Sequence, residues 1–329
     1  MLATYEALAV RTIGNHPDRL GEVPSGTVTD HRTQTADVRN GVTIAYVREG
    51  DGGTPLLLLH GYPETKRIWW RNVGPLSAAG FDVVAPDFRG HGESSLAPDN
   101  FYDIAAFAID CYTLMHDVLG FDRCALAGGD VGGVVLYDIG LRYPGFVTSQ
   151  VVFNTVPPPL NDVYEAAGLA PDDVRERRAQ SDYFVRQATD PEGLLAELAT
   201  PDQRQRYVAA MYTHRLWGTP NAFTPEDVAF HTEPYRDADK LRASWGVYEQ
   251  SAGRRAMEDV PKLFERTPVP TMVLYGPEDH VVMPSFPWKE AAACIDCTGP
   301  LFVPNAGHFL QWESADTFNK LVTLFCGRR

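Results

Sequence analysis

Residues Ala127 to Val135 read AGGDVGGVV. An apolar run, Arg123 to Gly129 (RCALAGG), leads into them, and helix-compatible residues follow. Gly128, Gly132 and Gly133 are small enough for the chain to turn tightly, which pushes Asp130 outward at the start of a helix. The pattern is small-x-nucleophile-x-small on a strand-to-helix elbow, with a carboxylate where a serine is common. A helix N-terminus behind Asp130 favours the charged form, so the side chain is expected to be ionised. Two other readings compete. A phosphate-binding glycine loop shares these parts, but Asp130 occupies its second glycine position and would repel a pyrophosphate. A helix-capping aspartate with no chemical role is the blander one.

Outward from the elbow, strand signals alternate with room for helices. TADVR and VTIAYV flank Asn40-Gly41, a favoured two-residue turn of an antiparallel hairpin. PLLLLH, FDVVAPD, RCALAGG and SQVVFN are continuous apolar runs, suited to strands buried on both faces. Between them, Tyr102 to Leu119 repeats apolar residues at helical spacing. This alternation predicts an α/β fold with a mostly parallel central sheet flanked by helices. It stops after Asn154. From TVPPPL to about residue 261 the stretches are helical and rich in Tyr, Arg, Ala and Glu, and strand signals return at VPTMVLYG and GPLFVP. The division expected is an extension over 1–35, a core in two pieces over 36–155 and 263–329, and a helical cap over 156–262, inserted after the sixth strand.

Bulk properties narrow the function. The 329 residues carry 29 basic and 43 acidic side chains, a formal charge of −14 that repels nucleic acid and anionic lipid. At 44% apolar and 22% charged residues, a sizeable core can form. No membrane span or secretory signal is visible, so a cytoplasmic protein is the expectation. The cysteines Cys111, Cys124, Cys294, Cys297 and Cys326 do not suggest a disulfide framework. Cys294 and Cys297 form a lone CxxC, read as ordinary thiols because no second pair or finger-spaced His accompanies it. Oligomeric state is left open.

Chemistry in a parallel sheet concentrates beyond the carboxyl ends of the strands. LLLLHGYPE ends one strand in a turn whose N–H groups, with that of Val131, can form an oxyanion hole; Tyr62 is the donor expected there. VLYGPEDHVV ends another and offers Asp279, with Glu278 as a rival acid. FVPNAGHFLQWE follows the last strand and places His308 in a glycine-bearing loop. The order nucleophile, acid, histidine follows the chain. His60 and His91 are read as ordering turns rather than as reacting groups.

HGYP, DFRGHGESS, GGDVGG, GPED and NAGHFLQWE together resemble the α/β hydrolase superfamily, in its epoxide hydrolase and haloalkane dehalogenase branch, over residues 36–329. The resemblance implies a hydrolase that opens an epoxide to a vicinal diol without metal or organic cofactor. Its substrates would be a small apolar epoxide and water. A carboxylate nucleophile suits displacement at sp³ carbon, because it leaves an ester that water can cleave, whereas a serine would leave an ether. In that scheme Asp130 attacks, His308 oriented by Asp279 activates water, and the N–H groups of Tyr62 and Val131 hold the oxyanion. The resemblance also implies ring-opening tyrosines in the cap. Tyr248 falls at the expected place, with Glu249 where an arginine commonly follows, and Tyr183 is the candidate for the other, beside Phe184.

Two alternatives remain. A haloalkane or haloacid dehalogenase would use the same Asp130, but families of that kind carry Trp or Arg after the nucleophile, and Val131 stands here. A non-catalytic binding module on the same scaffold is the other, and retention of Asp130, Asp279, His308 and the oxyanion turn argues against it. Trp69, Trp70, Phe88, Phe153, Trp245 and Phe309 either line an apolar pocket or pack the core, and the sequence does not divide them.

Overall fold

A computed structural model describes residues 31–169, 183–213 and 218–327. The expected extension over 1–35 falls almost wholly outside them. Eight strands form one sheet: β1 Thr33–Arg39, β2 Val42–Glu49, β3 Thr54–Leu59, β4 Phe81–Pro86, β5 Cys124–Gly129, β6 Val147–Phe153, β7 Thr271–Tyr275 and β8 Cys297–Phe302. Their spatial order is β1-β2-β4-β3-β5-β6-β7-β8. The pairings β1 with β2 and β2 with β4 are antiparallel, and all others are parallel. Asn40 and Gly41 both take positive φ, 52° and 74°, as the hairpin turn requires.

The strand PLLLL shows why the central strands are apolar throughout. Leu56 and Leu58 enter one core cluster, while Leu57 and Leu59 enter the other, on the opposite sheet face. All four are fully buried, each contributing about 1.5–3 kcal/mol. Crossover helices cover these faces: α1 Val73–Ala78, α2 Ile104–Tyr112 and α3 Asp130–Arg142. The predicted helix over Tyr102 to Leu119 is α2 continued by π-helical turns over Thr113–Val118, and Asp103 caps it by accepting from the N–H of Ala106 at 3.1 Å.

Between β6 and β7 the described chain is helical: α4 Asn161–Ala166, α5 Tyr183–Thr189, α6 Pro191–Glu197, α7 Pro201–Tyr212, α8 Pro225–Thr232, α9 Ala238–Ser244 and α10 Gly246–Ser251. Thr-Pro pairs start α7 and α8. Thr200 and Thr224 close capping boxes with Gln203 and Asp227, and the proline follows where no N–H is needed. Three helices complete the core: α11 Phe286–Ala292, α12 Leu310–Glu313 and α13 Ala315–Cys326. Among the described residues no helix is long and apolar enough to cross a membrane.

Candidate active site

The elbow between β5 and α3 is sharp because its backbone leaves the usual regions. Asp130 has φ 47°, a left-handed conformation that costs a side-chain-bearing residue on the order of 1 kcal/mol. Neighbours hold it there: its N–H donates to Asn154 O at 3.2 Å, and its carbonyl accepts from Thr155 Oγ1 at 2.5 Å. The glycines serve close approach. A Cβ on Gly132 would lie 2.3 Å from Leu59 O, and one on Gly61 would lie 2.5 Å from the Asp130 Cβ. Only at such contact does the turn after β3 reach the carboxylate, where Tyr62 N–H donates to Asp130 Oδ1 at 2.8 Å. Val131 N belongs to the first turn of α3, where helical N–H groups lack an intrahelical acceptor.

The loops after β7 and β8 bring the other groups. His308 Nε2 lies 3.5 Å from Asp130 Oδ2, and His308 Nδ1 lies 2.9 Å from Asp279 Oδ2. The Asp279 carboxylate is itself fixed, since Oδ1 accepts from the N–H groups of Val281 at 2.7 Å and Val282 at 3.2 Å. With Nδ1 toward Asp279, the imidazole presents Nε2 to Asp130. Burial on its own lowers the His308 pKa, but the carboxylates of Asp279 and Asp130 outweigh it and raise the value well above the ordinary one. Glu278, the rival acid, is exposed.

From the helical segment between β6 and β7, Tyr248 on α10 and Tyr183 on α5 bring their hydroxyls to 3.2 Å of each other. Both rings lie against Tyr62, Tyr183 parallel at 5.6 Å between centroids and Tyr248 edge-on at 5.4 Å. Desolvation, then the neighbouring Tyr183 and Asp130, push the Tyr248 pKa well above 10, so its proton is retained at neutral pH. Glu249, next in sequence, is held by two arginines. It accepts from Arg242 Nη1 at 2.7 Å and Nη2 at 2.9 Å, and from Arg255 Nη1 at 2.9 Å, clamping α10 to its neighbours. A separate surface cleft of about 460 Å³ is lined by residues including Tyr102, Arg242, Glu249 and Arg255, and by none of Asp130, Asp279 or His308.

Two residues that the sequence reading did not single out join the site. Asn154, at φ 43°, ties the strand ends together: Nδ2 donates to Gly307 O at 2.7 Å and His308 O at 3.1 Å, while Oδ1 accepts from Gly276 N at 2.9 Å. A lone Asn after an apolar run tolerates left-handed backbone, but that signal is shared by many turns. Glu64 is buried behind the turn after β3, accepting from Gly61 N at 2.6 Å and Gln311 Nε2 at 2.7 Å. Burial pushes its pKa up to about 7, against the Gly61 hydrogen bond. Its only sequence signal is its place just after Pro63.

His60 spans the ends of β3 and β4: Nε2 accepts from Phe88 N at 3.0 Å and Nδ1 donates to Gly61 O at 2.8 Å, with burial lowering its pKa to about 4. Of the aromatic residues, Trp69, Phe88 and Phe153 pack within the core. Trp70 meets Phe230 and Phe309 stacks on Tyr212, both from the helical segment, while Trp245 reaches Tyr62. Cys294 and Cys297 remain thiols, Cys294 buried with its Sγ donating to Glu290 O at 3.2 Å and Cys297 partly exposed.

Comparison with known proteins agrees with this architecture. The sequence profile of the α/β hydrolase fold matches residues 54–315. The soluble epoxide hydrolase of Corynebacterium sp. (strain C12) is 27% identical over 83% of this chain and 90% of that protein. The fluoroacetate dehalogenase of a Burkholderia species is 32% identical over 69% of this chain and 72% of that protein. The solved structure of epoxide hydrolase CorEH without ligand superposes with a TM-score of 0.75 at 24% identity, covering 90% of this chain and 98% of that one. With its central sheet, its elbow and a profile match over most of its length, the chain belongs to the α/β hydrolase fold family.

Proposed function

We propose that this hydrolase opens epoxides to vicinal diols through an ester formed on Asp130. One observation carries the reading. A carboxylate stands on the elbow, held by the Tyr62 N–H, and two phenols 3.2 Å apart descend from the helical segment beside it. A carboxylate oxygen attacks an epoxide carbon, the ring C–O bond breaks, and the alkoxide takes a proton from Tyr248 or Tyr183. In the second step His308 Nε2 removes a proton from water and hydroxide adds to the Asp130 ester carbonyl. The N–H groups of Tyr62 and Val131 hold the developing oxyanion; its collapse expels the diol oxygen, which takes the proton back from His308, and the remaining carboxyl proton passes to the tyrosinate as the Asp130 carboxylate re-forms.

The two carboxylates around His308 set the timing. While Asp130 is charged, it and Asp279 hold a proton on the imidazole, so His308 is a poor base. Esterification removes the Asp130 charge, weakens that hold and frees His308 for water. Ester hydrolysis is therefore expected to rise with pH through the His308 pKa of the alkylated enzyme, whereas alkylation is not.

Dehalogenation is the second reading, favoured by the fluoroacetate dehalogenase relative. Against it, Val131 and Val134 offer no side-chain donor to a halide or a substrate carboxylate. An assay of diol release from styrene-type, aliphatic and terpene epoxides, beside halide release from haloalkanes and fluoroacetate, decides the matter. Diol formation lost in Asp130→Asn supports the proposal; halide release without diol formation replaces it.

A further inference from the structure

A single amide joins the segment carrying Tyr183 to the turn that contacts Asp130. Gln187 lies on α5 one turn beyond Tyr183 and is fully buried. Its Nε2 donates to Tyr62 Oη at 2.7 Å and to Tyr207 Oη, on α7, at 2.9 Å. Tyr62 Oη also accepts from Trp245 Nε1, at the start of α10, at 3.3 Å. Tyr62 thus has two attachments: its backbone N–H is bound to Asp130, and its phenol is bound to the helices that carry Tyr183 and Tyr248. Both of those rings rest on the ring of Tyr62.

Gln187 Oε1 is buried without a hydrogen-bond partner. An unpaired buried carbonyl lowers stability, so the residue is an inefficient choice for holding the fold alone. Turning the amide over would pair Oε1 with both phenols and leave Nε2 unpaired instead. Either way the amide bridges Tyr62 and Tyr207, and either way one end is wasted.

We propose that Gln187 is a positioning residue: by bridging the Tyr62 and Tyr207 hydroxyls it fixes the Tyr183–Tyr248 pair over Asp130 for epoxide opening. The proposal rests on the reading of the site given above. The bridge holds the phenol ring on which the proton donors of the first step rest, and makes no hydrogen bond to His308 or Asp279. The Tyr62 N–H used in ester hydrolysis sits in a turn that Glu64 holds separately, through Gly61 N, so loss of the bridge acts chiefly on alkylation. Small displacements of a reacting group are costly, about 10²-fold for 1 Å, so a slackened tyrosine pair gives a measurable defect.

The test uses the full chain with Gln187→Met, which keeps length but cannot bridge, and Gln187→Glu, whose carboxyl oxygens can accept from both phenols. Rapid-quench single turnovers with styrene oxide separate the two steps. Gln187→Met is expected to slow alkylation about tenfold or more and to leave ester hydrolysis within about twofold. Gln187→Glu is expected to keep alkylation closer to wild type than Gln187→Met does, because it restores the bridge. Equal slowing of both steps, or of neither, overturns the proposal. Amide hydrogen exchange provides a readout independent of catalysis: α5 and α10 should exchange about fivefold faster in Gln187→Met, with α3 unchanged. If the wild-type enzyme forms no ester on Asp130, the catalytic reading fails. The exchange data then still decide the positioning role, and unaltered exchange in α5 and α10 rejects it.

Discussion

The strand ends of the core and the helices between β6 and β7 build their halves of the site in different ways. On the core side the groups are held by main-chain hydrogen bonds. Asp130 is fixed through Asn154 and Thr155, Asp279 through the N–H groups of Val281 and Val282, and the His308 loop through Asn154 Nδ2. On the helical side the groups are held by other side chains. Tyr183 and Tyr248 lean on Tyr62, Gln187 and Trp245 stand behind it, and the Glu249 clamp secures α10. Main-chain contacts tolerate little displacement, whereas a side-chain scaffold can shift as a unit. The core half is therefore expected to act nearly all-or-none and the helical half to be graded.

The sharpest break in that contrast would come at Asp130. Asn at this position keeps the left-handed backbone accessible but cannot form an ester, so diol formation should fall by a factor on the order of 10⁴ or more. Circular dichroism should remain that of the wild type. If activity survived in Asp130→Asn, the nucleophile would have to lie elsewhere.

Replacing His308 by Gln should split the reaction. Alkylation persists, ester hydrolysis slows by about 10²- to 10⁴-fold, and intact-protein mass spectrometry finds the enzyme accumulating one substrate mass. Failure to accumulate the adduct would mean that His308 is needed before the ester forms. On the helical side, Tyr248→Phe should slow alkylation by about 10²-fold, with Tyr183→Phe smaller and the double variant slower than either. Independent additivity of the two would argue that the phenols do not share the proton, despite their 3.2 Å separation.

The same contrast governs what could be read from the chain. The strands, the elbow and the order Asp130, Asp279, His308 were legible because each main-chain-fixed feature leaves a local mark: a glycine where atoms collide, an apolar run, a turn at a strand end. PLLLLH reads correctly as a strand buried on both sides, and GGDVGG as a turn tight enough for left-handed Asp130. Tyr183 could be named only by resemblance, since neither its spacing nor its neighbours distinguish it from Phe184. What selects it is a hydroxyl 3.2 Å from another helix, and no local pattern encodes that distance. Glu64 and Gln187 were silent for the same reason: their roles arise from partners far away in sequence, Gln311 for the first and Tyr62 for the second.

The smallest effect lies outside the site. Glu290 on α11 is buried, accepts from Tyr137 Oη at 2.7 Å, and is pushed by burial from 4.5 up to about 8. The unfolded chain releases this proton near pH 4.5 while the native protein keeps it to about pH 8, so the native state binds the extra proton across that window. Stability contributed by this group is full below pH 4.5 and declines as pH rises toward 8, by an amount on the order of a few kcal/mol. Glu290→Gln should flatten the decline of Tm between pH 5 and pH 8 while leaving the alkylation rate near wild type. An unchanged slope would show that the proton is not held there.

A transient ester on Asp130 leaves an isotopic mark, and oxygen transfer reads it. Enzyme in excess over styrene oxide is turned over once in water enriched in ¹⁸O, and the peptide containing Asp130 is weighed. This peptide is expected to gain one heavy oxygen in the carboxylate of Asp130, with the first-turnover diol carrying an oxygen from the unlabelled enzyme. Label found in the diol and absent from Asp130 would mean that water attacks the epoxide directly, contradicting the ester.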